Sequence, residues 1–396
     1  MNMRSLAKTI ARLQAFRAGH APATLKGVND RLSDLSHFGS NPGALRSRFY
    51  VPQRLAAGAP LVVVLHGCTQ TAAGFDYCSG WSRLADEQGF ALLFPEQQRA
   101  NNANLCFNWF VPEDTRRNGG EALSICQMIE TFVAEKNLDR RKIFITGLSA
   151  GGAMTAVMLA TYPEIFAAGA VIAGLPYGSA ATIPEAFESM RGQSSSSQLH
   201  LEGVMRDASP HKGPWPVISV WQGSVDMTVD PSNAEAIIGQ WREVHGLPKT
   251  PTRMEIVEGH RRRVWCNTDG RVLIEEYIIA GMSHGAPLKT TGNDGLGNAG
   301  PFMLDVGISS TRHIARFWGI AASEERQTAS TPHVEAELRD PDLFQPSKTA
   351  AVENLPLPAL ARTRPSAHKK RISPPSPAAG VKNIIEDALR KAGLMR

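Results

Sequence analysis

The sequence has no uncharged apolar run long enough to cross a bilayer. A spanning helix needs about 20 consecutive apolar residues, whereas the strongly apolar stretches of this chain have the length of a strand, as at 61–65. The N-terminus also lacks the unbroken apolar block of a secretory signal, because Arg4, Lys8, Arg12 and Arg17 are spaced through it. We therefore expect neither a transmembrane segment nor export by the signal-peptide route, and we favour a cytoplasmic location.

Cysteine is scarce, with five residues in the chain. They form no C-x-x-C pair and have no metal-ligand spacing with histidine, so we expect no metal site. An odd count leaves at least one thiol free, and the spacing does not pair the others, so one or two disulfides stay open. The cysteines are Cys68, Cys78, Cys106, Cys126 and Cys266.

Positive charge is in slight excess, with a net charge of +5. The excess is concentrated in the tail at 362–371, and the rest of the chain is nearly balanced, so we expect no nucleic-acid partner. The basic tail is interpreted as a solubilising extension, with contact to a partner, a polyanion or a granule surface as the alternative. Apolar residues make up 42% and charged residues 20%, as in ordinary globular proteins.

Short apolar or β-branched runs alternate with helix-length amphipathic segments between residues 46 and 320. This alternation is typical of an α/β fold in which a mostly parallel sheet carries helices on both faces. We therefore predict one catalytic domain over 46–320. The predicted strands are 46–51, 61–66, 90–94, 142–146, 169–172, 217–221 and 272–279, and the predicted helices are 77–88, 121–136, 151–161, 232–245 and 309–318.

Four segments depart from this alternation. Residues 1–45 are predicted to hold a short amphipathic helix and a lead-in; the helix docks on the domain or, alternatively, lies on a membrane surface or acts as a transit peptide. Residues 176–216 exceed a plain crossover and are interpreted as an insertion or lid. The Pro-rich, basic segment 321–380 predicts a flexible linker, and 381–396 predicts a short amphipathic helix that docks on a partner or frays.

An apolar strand leads through Gly147-Leu-Ser149-Ala-Gly151 into a helix rich in alanine. The pattern G-x-S-x-G between a strand and a helix is the nucleophile elbow of α/β-hydrolases. A serine hydroxyl is a weak nucleophile, so it must be presented on a tight turn where a histidine reaches it, and glycine leaves room for that turn. We predict that Ser149 is the nucleophile rather than part of a chance match in a glycine-rich loop.

The acid and the histidine of this fold follow the serine in the chain, each just after a strand. Asp226 lies in the turn after the predicted strand 217–221 and is the preferred acid. Asp230 is the competitor, but its place before a predicted helix indicates a cap. His284 lies between glycines after the predicted strand 272–279 and is the predicted general base.

The predicted strand 61–66 runs into a glycine loop with the sequence His-Gly-Cys-Thr-Gln. In this fold such a loop supplies one oxyanion N–H, and the residue after the nucleophile supplies the other. We therefore predict the backbone N–H groups of Cys68 and Ala150 as the oxyanion hole. The predicted chemistry is the acyl-enzyme route of serine hydrolases.

Taken together, these motifs resemble the poly(3-hydroxybutyrate) depolymerase-type esterases over about 46–320. The resemblance rests on 65–70 (LHGCTQ), 95–97 (PEQ), 106–110 (CFNWF), 147–153 (GLSAGGA), 174–178 (GLPYG), 281–285 (GMSHG) and 300–304 (GPFML). It implies hydrolysis of hydroxyalkanoate polyesters or oligomers without a metal or cofactor. Family relatives that act on feruloyl and acetyl esters of plant polysaccharides provide the alternative substrate.

The sequence departs from this family in two respects. Secreted members usually carry a signal peptide and often a polymer-binding domain, and the sequence shows neither, which favours soluble esters over insoluble granules.

Trp109 is the first candidate for substrate contact, with core packing as the alternative. A non-catalytic binding protein on the same scaffold is the rival function, and the intact Ser149, Asp226 and His284 argue against it.

Overall fold

The computed structural model describes residues 30–193 and 198–322. The predicted N-terminal helix, the Pro-rich linker beyond residue 322, the basic cluster and the C-terminal helix lie outside the described residues, so these predictions and the domain boundaries stay predictions. No helix in the described ranges has both the length and the apolar character to cross a membrane.

A ten-stranded sheet organises the fold, with strand order β1-β2-β4-β3-β5-β6-β7-β10-β9-β8. The six strands from β4 to β10 in this order run parallel, and two antiparallel strands extend each edge. A separate parallel pair, β11 and β12, lies outside this sheet. The strands are β1 Ser33–Asp34, β2 Arg46–Tyr50, β3 Leu61–Leu65, β4 Ala91–Glu96, β5 Ile143–Leu148, β6 Ala168–Ile172, β7 Val217–Gly223, β8 Arg253–Val257, β9 His260–Cys266, β10 Val272–Ile279, β11 Ala286–Leu288 and β12 Met303–Asp305.

Helices connect the parallel strands, which confirms the predicted α/β class. Each of the seven predicted strands has a counterpart whose ends differ by at most two residues, and four of the five predicted helices are present with similar bounds. The helices are α1 Ala72–Ser79, α2 Trp81–Gln88, α3 Pro112–Thr115, α4 Gly120–Lys136, α5 Ala150–Thr161, α6 Ile183–Met190, α7 Gln198–Asp207, α8 Ser232–His245 and α9 Ser310–Phe317, with a 3₁₀ turn at Pro163–Ile165.

The prediction of one helix over 77–88 was wrong, because two helices, α1 and α2, meet at Gly80. Gly80 has a φ of 75° and ends α1 through its N–H, which donates to the carbonyl oxygen of Asp76. A Cβ at Gly80 would lie 2.8 Å from the backbone nitrogen of Gly297. Glycine at position 80 therefore permits both the left-handed conformation that ends α1 and the close approach of a distant segment, and periodicity alone reveals neither.

The edge hairpin β8–β9 was not predicted, because its strands carry many charged residues. Two arginines of β9 pair with buried carboxylates of β10: Arg262 Nε lies 2.9 Å from Glu275 Oε2, and Arg263 Nη2 lies 2.7 Å from Glu276 Oε1. Carboxylates of the neighbouring strand thus neutralise the arginines of β9, although charged residues in a sequence argue against a strand.

Two apolar cores lie on opposite faces of the sheet. In β3 the side chains alternate between them, with Leu61, Val63 and Leu65 in one core and Val62 and Val64 in the other. A continuous apolar run is expected for a parallel strand that is covered on both faces. Because β5, β7 and β10 run parallel, their carboxyl ends lie at the same edge of this buried sheet.

Candidate active site

Ser149 occupies the turn between β5 and α5 with a φ of 58° and a ψ of −119°. A positive φ is strained for a residue with a side chain and persists only where the surroundings hold it. Here the Ser149 N–H donates to the carbonyl oxygen of Ile172 at 2.9 Å. The turn leaves the serine side chain half-buried at the edge of the sheet, as the predicted nucleophile elbow requires.

The two glycines of the motif permit a close approach of three backbone segments. A Cβ at Gly147 would lie 2.3 Å from the carbonyl oxygen of Gly151, and a Cβ at Gly151 would lie 2.4 Å from that of Leu65. The start of α5 is therefore pressed against both β5 and β3 with no room for a methyl group.

The structure brings the three predicted triad residues together. Ser149 Oγ lies 2.9 Å from His284 Nε2, and His284 Nδ1 lies 2.7 Å from Asp226 Oδ2. The side chain of Asp226 is fully buried, and that of His284 is 9% exposed. This arrangement can move the serine proton onto the imidazole, although the catalytic roles themselves stay predictions.

The Asp226 carboxylate is surrounded by hydrogen-bond donors. Its Oδ1 accepts from the N–H groups of Thr228 at 2.8 Å and Val229 at 2.9 Å, and its Oδ2 accepts from Gln222 Nε2 at 3.1 Å as well as from His284. These donors match an ionised carboxylate, which accepts only. The proton between Asp226 and His284 consequently lies on Nδ1, which leaves Nε2 free to accept from the serine.

Asp230, the competing acid, lies elsewhere. Its Oδ1 accepts from the N–H of Ser232 at 2.9 Å at the start of α8. Its own N–H donates to the carbonyl oxygen of Met190 at 2.8 Å. Asp230 therefore ties the end of α6 to the start of α8, in agreement with its interpretation as a cap.

The predicted oxyanion donors, Cys68 N–H and Ala150 N–H, donate no hydrogen bond within residues 30–193 and 198–322. The peptide that carries Cys68 N–H is oriented by His66, whose Nδ1 donates to the carbonyl oxygen of Gly67 at 2.8 Å. In a trans peptide the C=O and the following N–H point in opposite directions. The hydrogen bond from His66 therefore turns Cys68 N–H away from the imidazole.

Sequence reasoning missed this role of His66 and interpreted the residue only as the end of a strand. Its tautomer is set by Gln97, whose N–H donates to His66 Nε2 at 3.1 Å, so the ring proton lies on Nδ1. Burial lowers the pKa of the His66 imidazole, which keeps it neutral. Both residues lie in motifs of the family resemblance, LHGCTQ and PEQ, and this was the available signal.

A disulfide between Cys68 and Cys106 joins the loop that follows β3 to the loop that follows β4. Beside it, the Thr69 N–H donates to the carbonyl oxygen of Asn104 at 2.7 Å. The pairing that the sequence left open is thereby assigned, and Cys78, Cys126 and Cys266 are free.

A buried carboxyl group, that of Glu121, supports the loop that follows β4. Its Oε1 accepts from Gln97 Nε2 at 2.6 Å and its Oε2 accepts from the N–H of Asn108 at 2.9 Å. Gln97 Nε2 also donates to the carbonyl oxygen of Cys106 at 3.0 Å. Burial, reinforced by the nearby Asp114, raises the pKa of Glu121 to about 8.

A small apolar cluster covers the start of α5 beside Ser149. It joins Trp109, which is 9% exposed, to Ala150, and the predicted lid contributes Ala186 and Met190 of α6. The structure therefore brings Trp109 next to the nucleophile segment, where it is packed rather than free. The remaining members are Ala153, Leu175 and Val229, with Cys68, Cys106, Phe110 and Ala180 at the margin.

The site contains the groups of a serine hydrolase, and no grouping of three or more His, Cys, Asp or Glu side chains suited to a metal ion occurs in the two described ranges. Comparison with known proteins agrees with this chemistry. Residues 45–260 match the family model described as Esterase PHB depolymerase. The poly(3-hydroxyalkanoate) depolymerase C of Paucimonas lemoignei is 44% identical over 291 residues, covering 73% of this chain and 70% of that protein.

Two further relatives are named for other substrates. Feruloyl esterase B of Talaromyces stipitatus is 29% identical over 265 residues, covering 65% of this chain and 72% of that protein. The structure of an acetyl xylan esterase from Aspergillus awamori aligns with a TM-score of 0.62 at 25% identity, covering 73% of this chain and 99% of that chain. The chain therefore belongs to the esterase PHB depolymerase family and is a serine esterase with an α/β-hydrolase fold.

Proposed function

We propose that Ser149, His284 and Asp226 hydrolyse esters through an acyl-enzyme. As Ser149 Oγ attacks the carbonyl carbon, its proton passes to His284 Nε2, which returns it to the departing alcohol. Water then attacks the acyl-enzyme with the same histidine as base, which releases the acid and restores the serine. The observation that carries this proposal is the unbroken pair of hydrogen bonds, 2.9 Å and 2.7 Å, from the serine through the imidazole to a buried carboxylate.

The tetrahedral oxyanion is stabilised by the N–H groups of Cys68 and Ala150. Ala150 follows Ser149 at the first position of α5, and Cys68 lies in the loop after β3. This loop approaches the end of β5, since a Cβ at Gly67 would lie 3.4 Å from the carbonyl oxygen of Leu148. A preorganised donor of this kind contributes about 10²–10³ in turnover. The disulfide, His66 and the Gln97–Glu121 contact hold the loop so that the donor does not reorganise during the reaction.

The proposed substrates are hydroxyalkanoate polyesters or their oligomers. The 44% identity to a protein named poly(3-hydroxyalkanoate) depolymerase C supports this class. The apolar cluster at Ala150 supports it as well, because an aliphatic acyl group gains by leaving water for such surroundings. In this proposal Trp109 forms a wall of the acyl site.

Feruloyl or acetyl esters of plant polysaccharides are the second candidate. The backbone similarity to an acetyl xylan esterase over 99% of that chain favours this class. The same triad would serve it, since the two classes differ in the groups that flank the ester and not in the bond that breaks.

A hydrolysis panel separates these candidates. Wild-type enzyme and Ser149→Ala are assayed on 3-hydroxybutyrate oligomers, methyl ferulate and acetylated xylan, and labelling by a fluorophosphonate is measured in parallel. We expect labelling and oligomer hydrolysis by the wild type, and neither by Ser149→Ala. Preference for ferulate or acetylxylan would move the assignment to the second class, and folded wild-type protein that takes no label would indicate a non-catalytic binding protein.

A further inference from the structure

Few large apolar side chains are exposed in residues 30–193 and 198–322, and two of them flank Asp226. Val225 is 52% exposed and Met227 is 76% exposed. Two others, Met254 at 68% and Ile256 at 71%, lie together on the edge strand β8. The remaining one is Tyr77, at 38%.

The geometry of the turn explains why Val225 and Met227 point outward. Asp226 is 3% exposed and is held inward by the N–H groups of Thr228 and Val229. The Val225 N–H donates to the carbonyl oxygen of Met282 at 3.1 Å, which fixes the other side of the turn. With the carboxylate turned in, the residues on either side are turned out.

Core packing does not account for an apolar residue at position 227. A side chain that is three-quarters exposed gains little from burial in the fold, and its apolar surface is left in contact with water. The hydrogen bonds that shape the turn use backbone N–H groups and the carboxylate, so a polar side chain would fit equally well.

Both exposed side chains lie close to the candidate triad. Each is adjacent in the chain to Asp226, and consecutive Cα atoms are about 3.8 Å apart. The imidazole of His284 joins Asp226 to Ser149 Oγ through two hydrogen bonds. Val225 and Met227 are therefore exposed apolar side chains next to a residue of the candidate triad.

We propose that Val225 and Met227 form a contact surface for solid polyester, which holds the enzyme on the polymer while a chain enters toward Ser149. This inference rests on the proposed hydrolysis of hydroxyalkanoate polyesters. A polyester offers no charge and no hydrogen-bond donor, so apolar contact supplies the affinity. Side chains that protrude from a turn suit a flat surface, whereas the recessed cluster around Trp109 suits an acyl group. This surface favours an insoluble substrate, in contrast to the soluble esters favoured by the sequence.

The test uses two double variants of the full chain, each of which makes two exposed apolar side chains polar. Val225→Thr/Met227→Gln makes the contact surface polar while keeping side-chain size, and Met254→Gln/Ile256→Thr makes the matched change on β8. Adsorption to a poly(3-hydroxybutyrate) film, turnover on the film and turnover of soluble p-nitrophenyl butyrate are measured for each. We expect adsorption and the film-to-soluble turnover ratio to fall about tenfold in the first variant and less than about twofold in the second.

Three results would overturn the proposal: equal losses in both double variants, equal losses on film and soluble ester in the first, or wild-type enzyme that cleaves the soluble ester but does not adsorb to film. The last of these leaves the serine esterase assignment intact. Failure of that assignment is seen separately, as absence of fluorophosphonate labelling and of soluble-ester hydrolysis in the wild type.

Discussion

His66 Nδ1 donates to the carbonyl oxygen of Gly67 at 2.8 Å, so a buried imidazole orients the peptide whose nitrogen belongs to Cys68. The contact is local in sequence, yet Gln97 decides which ring nitrogen donates, because the Gln97 N–H donates to His66 Nε2. The predicted oxyanion donor is thus held in place by a neutral, buried histidine.

This relationship predicts unequal effects of two substitutions at position 66. Asparagine places an N–H near the position of Nδ1 and can still donate to Gly67, whereas leucine cannot. We expect His66→Leu to lower kcat by about 10²-fold with little change in KM, because the lost donor acts on the transition state. His66→Asn should recover a substantial part of that loss. Equal kcat values for the two variants, measured on a soluble ester, would contradict the positioning role.

Asp226→Asn should abolish most of the activity without unfolding the protein. The amide oxygen can still accept from Thr228 and Val229, but its NH₂ faces His284 and forces the ring proton onto the nitrogen that must accept from serine. We expect kcat to fall by about 10⁴-fold.

The matched control is Asp230→Asn, because that side chain caps α8 and does not contact the imidazole. Its kcat should stay within about twofold of wild type, and thermal unfolding should be followed for both variants. A similar loss of activity in both would mean that the assignment of the acid is wrong.

Gly151→Ala should be strongly destabilising. Its new Cβ would lie 2.4 Å from the carbonyl oxygen of Leu65 and 2.5 Å from that of His66, and neither backbone segment can move without disturbing the sheet. We expect a loss of about 3 kcal/mol in the free energy of unfolding, measured by urea titration. Gly203→Ala in α7 is the control, since no atom lies within 4 Å of its added Cβ. That helical substitution should be neutral or stabilising by up to about 1 kcal/mol.

Glu121 predicts a specific pH dependence of stability. Its pKa is raised from 4.5 to about 8 in the folded protein, so between these values the native state holds a proton that the unfolded chain has released. Stability from this group therefore falls as the pH rises through this window and levels off above it, with each pKa unit worth about 1.4 kcal/mol.

Glu121→Gln removes this titration. Compared with wild type, the variant should gain relative stability between about pH 5 and pH 8 in urea unfolding curves, whatever its absolute stability. Glu130→Gln, at a side chain that is 44% exposed, should follow the wild-type pH profile. Parallel pH profiles for Glu121→Gln and wild type would show that the buried carboxyl does not titrate in this window.

The candidate triad could be located from the sequence because each member follows its own strand. Continuous apolar runs identify the central strands, and Ser149, Asp226 and His284 lie just past three of them. The parallel arrangement then brings the three ends to one edge, so local patterns were sufficient to name residues that are far apart in the chain.

Features that depend on contacts between distant segments could not be predicted from local sequence patterns. Nothing near Cys68 distinguishes Cys106 from the other cysteines, and the hairpin β8–β9 forms because carboxylates on β10 neutralise its arginines. The close approach of Gly297 to Gly80, where α1 ends, likewise joins segments that are distant in the chain. The amino-acid sequence by itself determined the fold class and the residues of the candidate triad, because those signals repeat within a few residues. The tertiary structure alone decided the disulfide, the hairpin β8–β9 and the orientation of the Gly67–Cys68 peptide, because each requires a partner that only folding brings near.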